Sequence, residues 1–101
     1  MADTPEAKMK KKVDKVLKEA GVWFFAPQSG IYGRSGIPDR IGILPGGRIL
    51  AIEVKAGTKY GLTALQEKTL TEIRTAGGST WVVHDEQSLT VLRTALKMDL
   101  T

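Results

Sequence analysis

An α/β sandwich around a mixed central sheet is the fold that this sequence predicts, and three observations predict it. Segments of helical periodicity stand at both ends, strand-like segments with turn residues between them fill the middle, and the central hairpin is apolar on both faces. Ile41, Ile43, Ile49 and Ala51 form one face of that hairpin, and Leu50, Ile52 and Val54 form the other. A sheet buried on both sides needs covering layers, which the flanking helices can supply.

The elements follow in order. Thr4-Pro5-Glu6 reads as a helix start, with a threonine cap, proline at the first helical position and an acid in the first turn. Val13, Val16, Leu17 and Ala20 continue it at helical spacing until Gly21. Val22 to Ala26 is a short apolar strand whose Trp23, Phe24 and Phe25 are expected in the core. Residues 27–36 (PQSGIYGRSG) form a loop. Ile37 to Leu44 and Arg48 to Lys55 are strands joined by a Pro45-Gly46-Gly47 turn. Gly57 to Gly61 is a second loop, Thr63 to Ala76 a helix closed by Gly77-Gly78, Thr80 to Val83 a strand and Glu86 to Lys97 a last helix. The order is α-β-β-β-α-β-α, with no repeat and no linker, so residues 1–101 read as a single domain.

Bulk properties remove several function classes. A chain of 101 residues with 42% hydrophobic and 26% charged residues belongs with folded soluble proteins. No apolar run reaches membrane-spanning length and Met1-Ala2-Asp3 opens no signal peptide, so a cytoplasmic protein of a bacterial or phage-infected cell is expected. The absence of cysteine excludes disulfides, thiolate zinc sites and thiol nucleophiles. One histidine, His84, argues against a His-rich metal site and reads as structural. A net charge of +4 suits a polyanionic partner.

The chemistry gathers on Pro38-Asp39 and Glu53-Val54-Lys55. Two carboxylates at the end of a buried hairpin are costly unless a cation neutralises them, and a divalent metal is the natural one. Lys55 follows Glu53 by two residues and so lies on the same strand face. Metal plus lysine suits phosphodiester cleavage, in which the metal activates water and the ammonium meets the charge that develops on phosphorus. Register decides whether the acids meet. A two-residue Gly46-Gly47 turn opposes Asp39 to Val54 and sends Glu53 to the other face. A longer connection, with Leu44 opposite Arg48, opposes Asp39 to Glu53. The functional reading therefore requires the longer loop.

Other candidates are placed by helical geometry. At about 100° per residue, Glu6 shares the Val13 and Leu17 side of its helix and Glu19 does not. Glu6 is thus either a third metal ligand or a charge serving the helix dipole. Lys10, about 40° from Glu6, is the phosphate candidate of that helix, whereas Lys8, Lys11, Lys15 and Lys18 read as a solvated stripe. Tyr32, Arg34 and Ser35 in the first loop, and Lys59 in the second, are candidate nucleic-acid contacts. Gln66 completes a Thr63-x-x-Gln66 capping box and also faces the sheet, so it can serve as a cap or touch the site.

The blocks GRSGIPD (33–39), GILPGGR (42–48) and AIEVK (51–55), with LTALQ (62–66), AGG (76–78) and WVV (81–83), resemble the VRR-NUC domain. This is the virus-type replication–repair nuclease branch of the PD-(D/E)XK superfamily. The likeness covers essentially the whole chain, as in a stand-alone domain. It implies a restriction-endonuclease-like α-β-β-β-α-β core, here with an extra C-terminal helix, that hydrolyses DNA with Mg²⁺ or Mn²⁺. It further implies Asp39, Glu53, the Val54 carbonyl and Glu6 as metal ligands, Lys55 as the catalytic lysine and Gln66 as a residue of the site.

The reading that follows is a metal-dependent, structure-selective DNA endonuclease of four-way (Holliday) junctions. One domain supplies one site, and symmetric junction cleavage asks for a homodimer. A flap or single-strand nuclease and a non-catalytic branched-DNA-binding module are the alternatives. A generic α/β scaffold with chance acids is the third.

Overall fold

A computed structural model describes residues 4–28, 35–56 and 61–99. Their element order is α1 (Pro5–Glu19), β1 (Trp23–Phe25), β2 (Arg40–Ile43), β3 (Ile49–Val54), α2 (Ala64–Thr75), β4 (Ser79–Val83) and α3 (Glu86–Lys97). The sheet order is β1-β2-β3-β4. β1, β2 and β3 pair antiparallel, while β4 joins β3 in parallel after the α2 crossover. The expected α/β fold with a mixed sheet is the one observed.

Each helix starts where its capping residues direct. Thr4 Oγ1 accepts from Ala7 N–H at 3.1 Å, with proline at the first helical position of α1. Thr63 and Gln66 close a reciprocal capping box on α2, and Asp85 and Ser88 close another on α3. Satisfying these N–H groups through side chains removes an ambiguity in where each helix begins.

Helices α1 and α3 cover one face of the sheet. Val13, Val16 and Leu17 of α1 and Leu89 and Leu92 of α3 are buried with Leu50, Ile52, Val54 and Val83 in one cluster. Lys12 and Glu86 add an exposed ion pair between the two helices. Helix α2 packs on the opposite face, over β3 and β4. Among the described residues, that face is therefore covered on one half only.

The uncovered half corrects the sequence reading of β1. Phe24 packs against the core as expected, but Trp23 and Phe25 stand 63% and 46% exposed. Strand alternation sends Phe24 to one side and its two neighbours to the other, where no helix reaches them. Their rings contact each other with centroids 5.8 Å apart. β2 also starts later than expected, at Arg40 rather than Ile37.

Candidate active site

The hairpin loop determines what the acids can do. Gly47 N–H donates to the Leu44 carbonyl at 2.9 Å, and Leu44 N–H donates to the Arg48 carbonyl at 2.8 Å. Gly46 and Gly47 take φ of +86° and +87°, which side chains rarely adopt. The connection is thus the longer of the two anticipated, spanning Pro45 to Gly47. Arg40 opposes Ile52, Ile41 opposes Ala51 and Ile43 opposes Ile49. Extending this register by one residue opposes Asp39 to Glu53.

Asp39 lies just outside the strand, and its side chain replaces the next rung of the ladder. Asp39 Oδ2 accepts from Val54 N–H at 2.7 Å. Lys10 of α1 places its ammonium 3.4 Å from Asp39 Oδ1 and 3.7 Å from Glu6. Burial opposes ionisation of Asp39. The hydrogen bonds from Glu53 and Val54 N–H, together with the Lys10 charge, outweigh it and hold the carboxyl below its usual range.

Glu53 is the opposite case. Its residue is only 3% exposed. Burial, then the shared hydrogen bond and charge of Asp39, push its carboxyl up to about 8, against a smaller opposing effect of Lys55. Gln66 Nε2 donates to Glu53 Oε1 at 3.3 Å. Glu53 Oε2 is buried and meets no donor. Two adjacent carboxyl groups thus hold one proton between them, with a buried oxygen unsatisfied.

Gln66 fulfils both roles that the sequence left open. Its Oε1 accepts from Thr63 N–H at 2.9 Å while its amide reaches Glu53. Gly36 lies against the same turn of α2. It takes φ +77°, and a side chain there would lie 2.9 Å from Leu65 Cγ and 3.0 Å from the Leu65 carbonyl. Only glycine lets the segment leading into Asp39 lie against the first turn of α2.

Arg40 is a site residue that sequence reasoning missed. Its guanidinium grips Asp14 of α1 at 2.6 and 3.1 Å and donates to the Asp39 carbonyl at 2.7 Å. It ties the strand that carries Asp39 to the helix that carries Lys10. Nothing local announces this pair, because its partners are far apart in sequence.

The expected set is not brought together in full. Among the described residues, no three His, Cys, Asp or Glu side chains form a cage for a metal ion. Asp39 and Glu53 form a pair, and Glu6, half-exposed on the first turn of α1, is bridged to it by Lys10 and adds a charge that opposes ionisation of Glu53. Ser35 is exposed. Tyr32, Arg34 and Lys59 lie outside the described residues.

A solved structure described as a VRR_NUC domain superposes on this chain with a TM-score of 0.78 and 27% identity, covering 89% of this chain and 95% of that one. This likeness supports the VRR-NUC resemblance read from the sequence. No protein-family model matches it, and no curated protein does. The similarity supports a nuclease of that kind. Among the described residues, no helix is long and apolar enough to cross a membrane.

Proposed function

We propose that this VRR-NUC domain is a Mg²⁺- or Mn²⁺-dependent, structure-selective DNA endonuclease that cuts four-way junctions as a homodimer. The observation that carries the metal is the unsatisfied buried oxygen of Glu53 beside Asp39. Two hard oxygen donors with a surplus of negative charge suit a hard divalent cation better than any neutral ligand. Asp39, Glu53 and the Val54 carbonyl would hold it, with Glu6 contributing directly or through water. When bound, the ion supplies Lewis acidity at a phosphate oxygen and a water of lowered pKa.

The chain's own groups then divide the work. Asp39 and Glu53 share a proton in the free protein, and both carboxylates would serve as donors to a bound cation once that proton is lost. Gln66 holds Glu53 Oε1 and so directs the other oxygen toward the reacting centre. Lys55, close enough to bias Glu53 electrostatically, orients the attacking water and stabilises charge developing on the phosphate. Lys10 contributes a second ammonium at the rim for a backbone phosphate.

The test is cleavage of labelled four-way junction, flap, duplex and single-stranded DNA with Mg²⁺, Mn²⁺ or EDTA. Symmetric nicks in the junction, lost in EDTA, are the expected result. Cleavage confined to flaps or single strands would replace the substrate while keeping the chemistry. Junction binding without cleavage in either metal would reduce the domain to a binding module.

A further inference from the structure

The apolar surface left open beside α2 forms one continuous strip. Trp23 pairs with Ile43 and Ile43 with Ile49, while Phe25 pairs with Ile41 and Ile41 with Ala51. Residues paired across strands share a face, so these six side chains stand together. Trp23 is 63%, Phe25 46%, Ile43 38% and Ile49 37% exposed. An aromatic side chain offers about 150–250 Å² for burial, so the strip leaves on the order of 350–400 Å² of apolar surface open.

Its neighbour is a groove of about 430 Å³ lined by Gly46, Gly47, Arg48, Ile49, Ile73 and Gly78, among others. Ile49 belongs to both features. The protruding indole and the groove are therefore separated by two strand spacings, about 10 Å, with Ile43 midway. A knob and a hole on one face, with a point between them, are what a two-fold axis requires. The knob of each copy then meets the hole of the other.

We propose that this half-face is the homodimer surface, with the two-fold axis near Ile43 and Trp23 of each copy seated in the groove of its partner. The assignment deepens the nuclease reading above and rests on it for the need of two sites. Charge favours a second copy over DNA as the occupant. None of the six side chains of the strip is charged, so on the strip itself a duplex phosphate backbone finds no counter-charge and an apolar partner meets no charge to desolvate. Arg48, held by the Gly77 carbonyl at 3.0 Å, forms a wall of the groove, and an indole over a guanidinium is favourable. The strip provides about half of the ~800 Å² per partner of a standard interface, and the groove walls add to it. A modest, micromolar dimer follows. The surface lies on the Glu53 face of the sheet, so the dimer places both acid pairs on the side where the copies meet.

Sedimentation velocity from 1 to 100 µM, with tryptophan emission followed over the same dilution, tests the assignment on the full chain. The wild type should pass from dimer to monomer as its emission shifts to the red. Trp23→Lys should weaken association on the order of 30-fold or more, Ile43→Lys similarly, and Val91→Lys on exposed α3 not at all. A wild type that stays monomeric at 100 µM overturns the proposal, as does a dimer indifferent to both lysine variants. Should the variants misfold by circular dichroism, the wild-type emission decides: no concentration-dependent shift overturns the proposal. Cleavage on the same preparations separates the two readings. A cutting monomer removes the surface and keeps the nuclease, and a dimer inert on every DNA with Mn²⁺ does the reverse.

Discussion

The two ends of the β2–β3 hairpin invert the usual distribution of residues in opposite ways. At the open end a carboxyl of the acid pair is buried, with Glu53 only 3% exposed. At the closed end a tryptophan stands in solvent, 63% exposed. Buried charge and exposed aromatics both cost stability relative to the reverse arrangement, and both persist where a missing partner compensates for them. A cation at the first end and an apolar surface at the second are the partners proposed above. The same three strands therefore present two incomplete sites of different chemistry, separated by two strand rows of about 7 Å each.

The largest effect expected belongs to the open end. Asp39→Ala and Lys55→Ala should each lower single-turnover cleavage by on the order of 10³-fold or more. Their thermal melts should still show a folded protein. Residual activity close to wild type in either variant would break the assignment of the acid pair as the reacting centre.

Gly36→Val comes next. It combines a disfavoured φ with collision against Leu65, so a loss of about 2–3 kcal/mol by urea unfolding is expected. Arg40→Ala should cost about 1–3 kcal/mol for its half-buried charged hydrogen bonds. It should also slow cleavage more than a surface Lys18→Ala control, because Asp39 loses its anchor to α1. Equal activities would show that the clamp is structural alone.

The pH dependence sharpens the contrast further. Glu53 has its folded-state pKa raised to about 8 from an ordinary value of 4.5. Its contribution to stability is thus fully present below about 4.5 and is lost as pH rises through about 8. Asp39, lowered, acts in the opposite sense and only in the acid range below its ordinary value of 3.8. Melting temperature measured in EDTA should therefore fall between pH 5 and pH 8. Glu53→Gln should flatten that slope, and added Mn²⁺ should reverse it. The smallest effect is at the closed end, where Trp23→Ser in dilute monomer should change stability by less than about 0.5 kcal/mol. A large loss there would mean that Trp23 supports the monomer's fold.

Much of the candidate site's geometry was legible in local pattern. Strand period placed Lys55 on the Glu53 face, and the Thr63-x-x-Gln66 spacing marked a cap whose far end reaches Glu53. Even the register was narrowed to two alternatives, since the Pro45-Gly46-Gly47 loop admits only a few hairpin lengths. The clamp of Arg40 on Asp14 was not legible, because no local signal links a strand start to a helix midpoint. Nor was it legible that Glu6, among the described residues, stops short of a three-acid cluster with the pair. Helical angle gives a direction around the axis but not how far the first turn extends past the sheet.

Composition, periodicity and capping residues by themselves determined the element order, the strand faces and the identity of the two acids and the lysine. These depend on interactions within a few residues, which the chain cannot avoid making. Tertiary structure alone decided that α2 shields β3 and β4 but, among the described residues, not Trp23 and Phe25 of β1, and that Glu53 Oε2 is buried without a donor. Coverage and desolvation depend on where distant elements come to rest, and so Trp23 and Phe25, apolar enough for any core, stand outside it.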